Sequence, residues 1–459
     1  MKLSALSALN PLDGRYADQL TTITPMFSEL NLILMRLSIE IEWLKALAHE
    51  PKIKAIKPFT KEGLTFLHNL VDKCTSEDIT RIKDLEKQIN HDIKAVEYFL
   101  KEKLATNKQL QAYQEFVHFG CTSDDINNLS YAVILAKTRA EILLPLIEKI
   151  LSRLKKMASR YAKTSMLART HGQAATPTTF GKEIANTTYR LIRQTDYLCN
   201  TPILGKFNGA VGNFNALTVA YPNLNWQKIC QNFVEQLKIS WNPYTTQIEP
   251  HDWIAEYCDI LARFNTILID FCRDMWGYIS LGYCKQKIRS KEVGSSTMPH
   301  KINPINFENA EGNLGLANAL LHHFSNKLPV SRWQRDLTDS TVMRNLGVAI
   351  GYSVLAYQSL LQGLDKVAID NKAMKKDLNN HWEVLGEAIQ TVLRCYGIDT
   401  PYEKIKNLTQ GQKLEQKTLQ KFIKQLNIPK EAKQKLLKLT PENYLGQACE
   451  LAATIHSKD

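Results

Sequence analysis

Chemistry shows most clearly between Gly294 and Pro304, where Ser295, Ser296, Thr297, Lys301 and Asn303 crowd a stretch punctuated by Pro299 and Pro304. Gly and Pro at this density exclude an interior helix, and Pro304 suits the first turn of a following one. A loop that feeds a helix N-terminus presents unpaired N–H groups and the positive end of a helix dipole. The natural guest is an anion, a carboxylate or phosphate, with Lys301 beside it. The same residues also make an ordinary polar loop, and composition alone does not choose between the two.

Three further polar segments interrupt the chain. Asn90-His91-Asp92 precedes the apolar positions Ile93, Val96, Phe99 and Leu100. Asn90 or Asp92 there can cap a helix, which leaves His91 between them without a capping reason. Thr122-Ser123-Asp124-Asp125 stands ahead of a strong helical pattern and reads equally as an elaborate N-cap or as a set of polar contacts to a ligand. Arg169 to Gly181 breaks helical periodicity again, and the Thr, Gly and Gln around His171 make an apolar-core role for that imidazole improbable. The Gly/Asn-rich stretch from Gly205 to Asn215 matches no phosphate-binding glycine pattern.

The elements that must hold these loops are helices. Leu143, Ile147, Ile150, Leu154, Met157 and Tyr161 recur at intervals of three and four, with Pro145 a predicted kink. From Asp252 to Cys284 the pattern is apolar nearly all round, which predicts a helix buried within a bundle; Glu256, Arg263 and Asp270, spaced by seven, share one side of it. Segments near 130–162, 178–200, 304–327 and 340–367 complete five long helices whose breaks coincide with the polar loops. The expected fold class is all-α, with a helical N-terminal domain over 1–112, a central long-helix bundle over 113–367 and a smaller helical domain over 368–459. A helix buried on every side in such a chain predicts that partner subunits supply packing surface, so a homo-oligomer is expected.

Composition narrows the classes. The net charge of +12 favours anionic partners, but the basic residues are scattered along most of the chain, with their densest run between Lys404 and Lys438, rather than gathered into an arm with interleaved aromatics. A nucleic-acid-binding scaffold is therefore the weaker reading, and neither nucleic acid nor membrane is an expected partner. Nine cysteines without a C-x-x-C pair support neither a disulfide framework nor a zinc ribbon, and a reducing cytoplasm is the expected location. The N-terminal apolar stretch is too short for a signal peptide, and charges interrupt the most apolar segment, from Ile254 to Tyr283. No metal ligand set is visible: His322 and His323 are adjacent, and adjacent positions do not share a helix face.

Ser295, Ser296, Met298, Pro299, Lys301, Asn303 and Glu308 fit the pattern S-S-x-M-P-x-K-x-N-x-x-x-x-E. That pattern resembles the signature of the fumarase/aspartase superfamily, and Thr122-Ser123-Asp124 and Thr170-His171-Gly172-Gln173 resemble its two other active-site segments in the expected order. Over essentially the whole length the chain is most similar to the adenylosuccinate lyases of the longer bacterial type. The residues that carry this are Arg15-Tyr16, Asn90-His91-Asp92, Gln247, and the run from Arg332 to Arg344. Ala174 departs from a proline common in that family and leaves His171 and Gln173 in place.

The resemblance implies a β-elimination that cleaves a succinyl C–N bond and releases fumarate, from adenylosuccinate to give AMP and from SAICAR to give AICAR. It implies no cofactor. Ser295 matches the base and His171 the acid. Lys301 is a candidate stabiliser of the ionised serine, and Glu308 matches a residue that orients an imidazole. His91, flanked by Asn90 and Asp92, resembles a residue near the substrate phosphate. Arg15, Tyr16, Arg335, Ser340 and Arg344, with Thr341 beside them, are implied to hold phosphate and ribose. Thr122, Ser123, Gln247 and Asn303 are implied to hold the succinyl and base amides. The resemblance further implies a homotetramer with active sites shared between chains, so that His171 and Ser295 of one site come from different subunits. Another fumarate-releasing lyase of the superfamily, such as an argininosuccinate lyase, is the nearest alternative; the nucleotide-phosphate contacts Arg335 and Arg344 separate the two.

Overall fold

The computed structural model describes residues 4–287, 294–409 and 414–457. Helices carry the architecture, as the periodicity predicts; the strands among the described residues are two or three residues long and pair only in twos. The contacts divide the chain into two compact units. The first contains Met1–Leu146, Thr195–Thr266 and Asn313–Ala356, and the second Ile147–Gln194, Ile267–Gly312 and Tyr357–Asp459. No helix among the described residues is long and apolar enough to cross a membrane.

In the first unit, α1 (Glu29–His49) begins where the Ser28 hydroxyl accepts the Asn31 N–H at 3.2 Å, satisfying one of the donors a helix start leaves unpaired. Its apolar face, including the fully buried Leu37, Trp43, Leu44 and Leu47, packs on α2 (Asp92–Ala105) and α3 (Ser123–Thr138). The Trp43 ring lies 4.3 Å from that of Phe207 and 5.2 Å from that of Phe233, an aromatic cluster beneath the loop from Gly205 onward.

The kink expected at Pro145 takes the form of a π-helical turn. A five-residue turn, Arg139–Leu143, separates α3 from α4 (Leu144–Arg160). Proline cannot donate to the preceding turn, and the wider turn absorbs the lost bond. Arg139 in this turn donates to the carbonyls of Leu198 at 3.1 Å and Thr201 at 2.6 Å, which tethers the free carbonyl end of α5 (Phe180–Asn200).

Helix α6 (Asp252–Ser280) carries the charged side that its spacing predicts. Within one chain it is not buried on every side, because Glu256, Arg263 and Asp270 form an exposed stripe along the face that their spacing predicts. Helix α7 (Ile305–Lys327) starts one residue later than the pattern suggests: Pro304 stands just before it, and its carbonyl accepts the Phe307 and Glu308 N–H groups at 3.0 and 3.3 Å. In the second unit α5 starts at close quarters with α4. A Cβ on Gly181 would stand 2.3 Å from the Ala158 carbonyl oxygen, so only glycine fits. The C-terminal helices close over a separate apolar cluster that includes Leu385, Leu393, Leu419 and Ile423.

Candidate active site

The polar segments fall into two groups, one in each unit. In the second unit, the stretch around His171 is a β-hairpin where the sequence predicts only a loop. Strand β1 (Arg169–Thr170) pairs antiparallel with β2 (Gln173–Ala174), joined by a two-residue turn. Both turn residues have positive φ, 54° at His171 and 74° at Gly172, the mirror-image turn that matches strand twist. Two-residue strands are too short to show alternation, and the pair His-Gly lacks the usual Asn-Gly cue, which is why periodicity misses it. His171 therefore projects from an exposed tip. The hairpin's root is held firmly: Arg169 pairs with Asp377 at 2.6 Å, Asp377 also accepts from Tyr283, and Thr176 donates to Glu387.

The Gly294 to Pro304 loop belongs to the same unit. The Ser295 Oγ accepts the Met298 N–H at 3.1 Å and, more weakly, the Thr297 N–H at 3.4 Å. Two donors thus already face the oxygen that would carry charge if the hydroxyl ionised. The Lys301 N–H closes a turn onto the Met298 carbonyl at 3.0 Å, and Gly294 sits so close to the Lys301 carbonyl that a Cβ would lie 2.4 Å from it. Behind the loop is a cleft of about 240 Å³ whose wall includes Lys287, Lys301, Asn303 and Lys366, a cationic lining. The Lys301 ammonium is exposed and has no carboxylate partner among the described residues. Glu308, on the first turn of α7, accepts the Trp276 Nε1–H at 3.2 Å. No hydrogen bond or ion pair joins His171 to Ser295, Lys301 or Glu308 among the described residues, so the structure holds these four as separate groups.

In the first unit, the 90–92 segment joins two helices, and its capping differs from the expected pattern. Asn90, with φ 55°, ends the helix Ser76–Ile89 in the left-handed conformation, and His91, not Asn90 or Asp92, caps α2 by accepting the Lys94 N–H on Nδ1 at 3.2 Å. Asn and His both bring a short polar side chain to a helix end, and the left-handed φ at Asn90 shifts the cap one residue onward. His91 itself remains exposed. Asp92 pairs with the buried Arg36 at 2.7 Å and with Arg344 at 3.2 Å. Burial pushes its carboxyl up, but Arg36, the Ile93 N–H and Arg344 outweigh this and hold it below the usual carboxylate range. Arg344 also reaches Glu29 at 3.0 Å and borders a cleft of about 230 Å³ lined by Asn10, Asp13, Phe27 and Gly347. Arg15 is exposed, its guanidinium 5.9 Å from the Tyr16 ring centre.

The Thr122 segment is the elaborate N-cap its sequence allows. The Thr122 N–H donates to the Asp125 carboxylate at 2.8 Å, and that carboxylate also accepts the Asn208 and Gly209 N–H groups at 3.0 and 3.1 Å. Fully buried Lys206 lies 3.0 Å from Asp125, itself fully buried. Asp125 is thus occupied within the fold, while Thr122 and Ser123 stay half-exposed at the start of α3.

Gln247 and the Arg335 segment are brought together. The Thr246 hydroxyl donates to the Gln334 carbonyl at 2.8 Å, one residue before Arg335, whose guanidinium stands 3.6 Å from buried Asp124. Ser340 donates its N–H to Asp339 at 2.7 Å, and Thr341 is exposed beside it. Beneath them lies a group the sequence reading missed. His251 sets its Nε2 3.2 Å from Asp339, and its backbone N–H donates to Glu249 at 2.7 Å. Its own burial disfavours the charged imidazole, yet Asp339, Glu249 and Asp124 together raise its proton affinity above the ordinary value. The signal available in sequence is the density of Glu249, His251 and Asp252 immediately before an apolar helix.

Among the described residues no group of three His, Cys, Asp or Glu side chains is placed to hold a metal. All nine cysteines are free.

Two family models cover the chain, one described as Lyase over residues 14–319 and one as Adenylosuccinate lyase C-terminal over residues 331–445. The adenylosuccinate lyase of Haemophilus influenzae is 53% identical over 98% of this chain and 99% of its own length. That of Escherichia coli K12 is 53% identical over 98% of each. Among solved structures, a fumarate lyase from Mesorhizobium sp. BNC1 superposes with a TM-score of 0.76 at 18% identity over 95% of this chain and 97% of that one. The 3-carboxy-cis,cis-muconate lactonizing enzyme of Pseudomonas putida does so with a TM-score of 0.74 at 20% identity over 95% of this chain and 96% of that one. These two share the helical fold, and the full-length identity to the curated enzymes goes further: the chain belongs to the adenylosuccinate lyase family.

Proposed function

We propose that the protein cleaves the succinyl C–N bond of adenylosuccinate to AMP and fumarate, and of SAICAR to AICAR and fumarate, by β-elimination in purine nucleotide biosynthesis. Ser295, ionised, takes the proton from the carbon next to a succinyl carboxylate. The C–H electrons form the new double bond, and the C–N electrons leave on nitrogen, which receives a proton from His171 so that it departs neutral. The observation that carries this reading is the pair of backbone N–H groups already facing the Ser295 Oγ. A serine hydroxyl is a useless base unless its anion is stabilised, and preset donors do this without reorganisation. Lys301 and the start of α7 add positive potential for that anion and for the charge that develops on the carboxylate.

His91, with Asn90 and Asp92 at the same helix junction, is assigned to the nucleotide phosphate together with Arg15, Tyr16, Arg335, Ser340, Thr341 and Arg344. Arginine forks suit bidentate phosphate contacts. Thr122, Ser123, Gln247 and Asn303 are assigned to the succinyl and base amides. Glu308 is assigned to orient an imidazole, and no cofactor or metal takes part in this scheme. The working form is a homotetramer whose sites draw His171 and Ser295 from different chains, and the free cysteines support a reducing cytoplasm as its location. Neither nucleic acid nor a membrane is assigned as a partner.

Incubation of purified protein with adenylosuccinate should release fumarate and AMP in equal amounts. No fumarate refutes the reading. Turnover of argininosuccinate in its place favours the sister lyase, and full turnover of adenylosuccinate by Arg335→Ala overturns the phosphate assignment.

A further inference from the structure

We infer that His251, far inside the first unit and touching no substrate in the scheme above, is a positioning residue whose positive charge leaves Arg335 available to the substrate anion. The inference rests on the proposed nucleotide chemistry and deepens it.

Three carboxylates meet around this imidazole, and all are buried: Asp124 is 4% exposed, Glu249 1% and Asp339 5%, with His251 itself at 1%. They arrive from three elements, the start of α3, the segment leading into α6, and the short helix Thr338–Met343. Two cations face them. One is His251, 3.2 Å from Asp339 and 3.7 Å from Glu249; the other is Arg335, only loosely placed 3.6 Å from Asp124. Lys206 is held by Asp125 at 3.0 Å and also acts through space on Asp124, more strongly than either of these two. Asn242 donates to Glu249 at 2.8 Å, and no further cation contacts the cluster among the described residues.

The charge balance follows. With His251 protonated, Asp339 and Glu249 share a buried cation, and Arg335 answers Asp124 directly and Asp339 only as a weaker, through-space partner. Its separation is too long for a hydrogen bond, so the guanidinium can exchange that partner for a substrate phosphate. With His251 neutral, the three buried carboxylates keep only Arg335 and a Lys206 already held by Asp125. A buried anion without a partner is costly, so Arg335 is drawn inward and the segment carrying Asp339 and Ser340 loosens from the one carrying Gln247. The raised proton affinity of His251 agrees with this, since the cluster favours the imidazolium. His251 also has a φ of 66°, a conformation asparagine tolerates, so His251→Asn removes the charge with little backbone strain.

The test is steady-state kinetics with adenylosuccinate from pH 6 to 9, on wild type, His251→Asn and Asp339→Asn, with unfolding curves for each. His251→Asn should raise KM about tenfold or more and leave kcat within about threefold, the size expected for losing one charged contact to substrate. In wild type KM should climb on the alkaline side as His251 loses its proton. Asp339→Asn keeps the acceptor for the Ser340 N–H but removes a charge facing His251, so that climb should move to lower pH, a shift that a purely structural defect would not produce. Wild type without activity refutes the proposed function itself. Active wild type with an unchanged KM in a folded His251→Asn, or an alkaline limb that Asp339→Asn does not move, overturns the role of His251. If His251→Asn does not fold, the Asp339→Asn pH profile decides alone.

Discussion

Lys206→Met should be among the most destabilising single changes in the chain. Lys206 and Asp125 are both fully buried with their charged atoms 3.0 Å apart, and Lys206 also donates to the Gly209 carbonyl at 3.2 Å. Asp125 accepts three backbone N–H groups besides, from Thr122, Asn208 and Gly209, so its negative charge is built into the meeting of α3 with the Gly/Asn-rich loop. Methionine fills the volume of the lysine stem but leaves a buried carboxylate with no cation. Breaking one side of a buried pair costs about 3–5 kcal/mol. Asp125→Asn in the Lys206→Met background removes the stranded charge, but one amide oxygen cannot replace two that accept Thr122 and Gly209 on one side and Asn208 on the other, so the double variant should recover only part of that loss. Guanidinium unfolding followed by circular dichroism, at one protein concentration, measures all three. A loss below about 1 kcal/mol for Lys206→Met, or a double variant no more stable than the single, refutes the reasoning, because either result means the pair is not what satisfies Asp125.

Gly181→Ala forces a Cβ to within 2.3 Å of the Ala158 carbonyl and 2.6 Å of the Ala162 N, backbone atoms that cannot swing aside, and should cost about 1–3 kcal/mol in a thermal or chemical melt. Asp92, whose carboxyl is held low mainly by Arg36 against the opposing effect of burial, contributes stability present above its unfolded value near ~3.9 and lost as pH falls through its lower folded value. Asp92→Asn should therefore lose about 2 kcal/mol at pH 7, with the gap to wild type closing below pH 4 in acid-unfolding curves. His171→Asn keeps a residue that tolerates positive φ at an exposed hairpin tip, so its unfolding midpoint should match wild type while kcat for fumarate release falls about 10²- to 10⁴-fold.

Much of this molecule was legible in its residues, and the misses have identifiable causes. Helices long enough for several turns declare themselves through spacing, and the Ser295 loop stands out because hydroxyls, a cation and two prolines cannot be a helix interior. Strand pairs of two residues carry no periodicity, so spacing predicts only a loop where the hairpin holds His171. Residue type places the cap of α2 on Asn90 or Asp92, but Asn90 ends the helix before it and the cap falls on His91. Burial on every side of α6 is an expectation for the assembled bundle; within one chain the stripe of Glu256, Arg263 and Asp270 is exposed on the side their spacing predicts. The buried charges were the least visible. Lys206 looks like any surface lysine until Asp125, distant in sequence, is seen against it, and His251 acquires its meaning only from Asp339. Arg36 could have been found, since it lies among Ile33, Leu37, Ile41 and Leu44 on the apolar face of α1.

The shared site proposed above draws His171 from one chain and Ser295 from another. The most direct measurement mixes inactive His171→Asn with inactive Ser295→Ala, lets the subunits dissociate and reassociate, and follows fumarate release from adenylosuccinate. Random reassociation of equal amounts places both intact residues together in about one quarter of sites, so activity should return to about one quarter of wild type. Mixed oligomers that form and stay inactive would contradict the account.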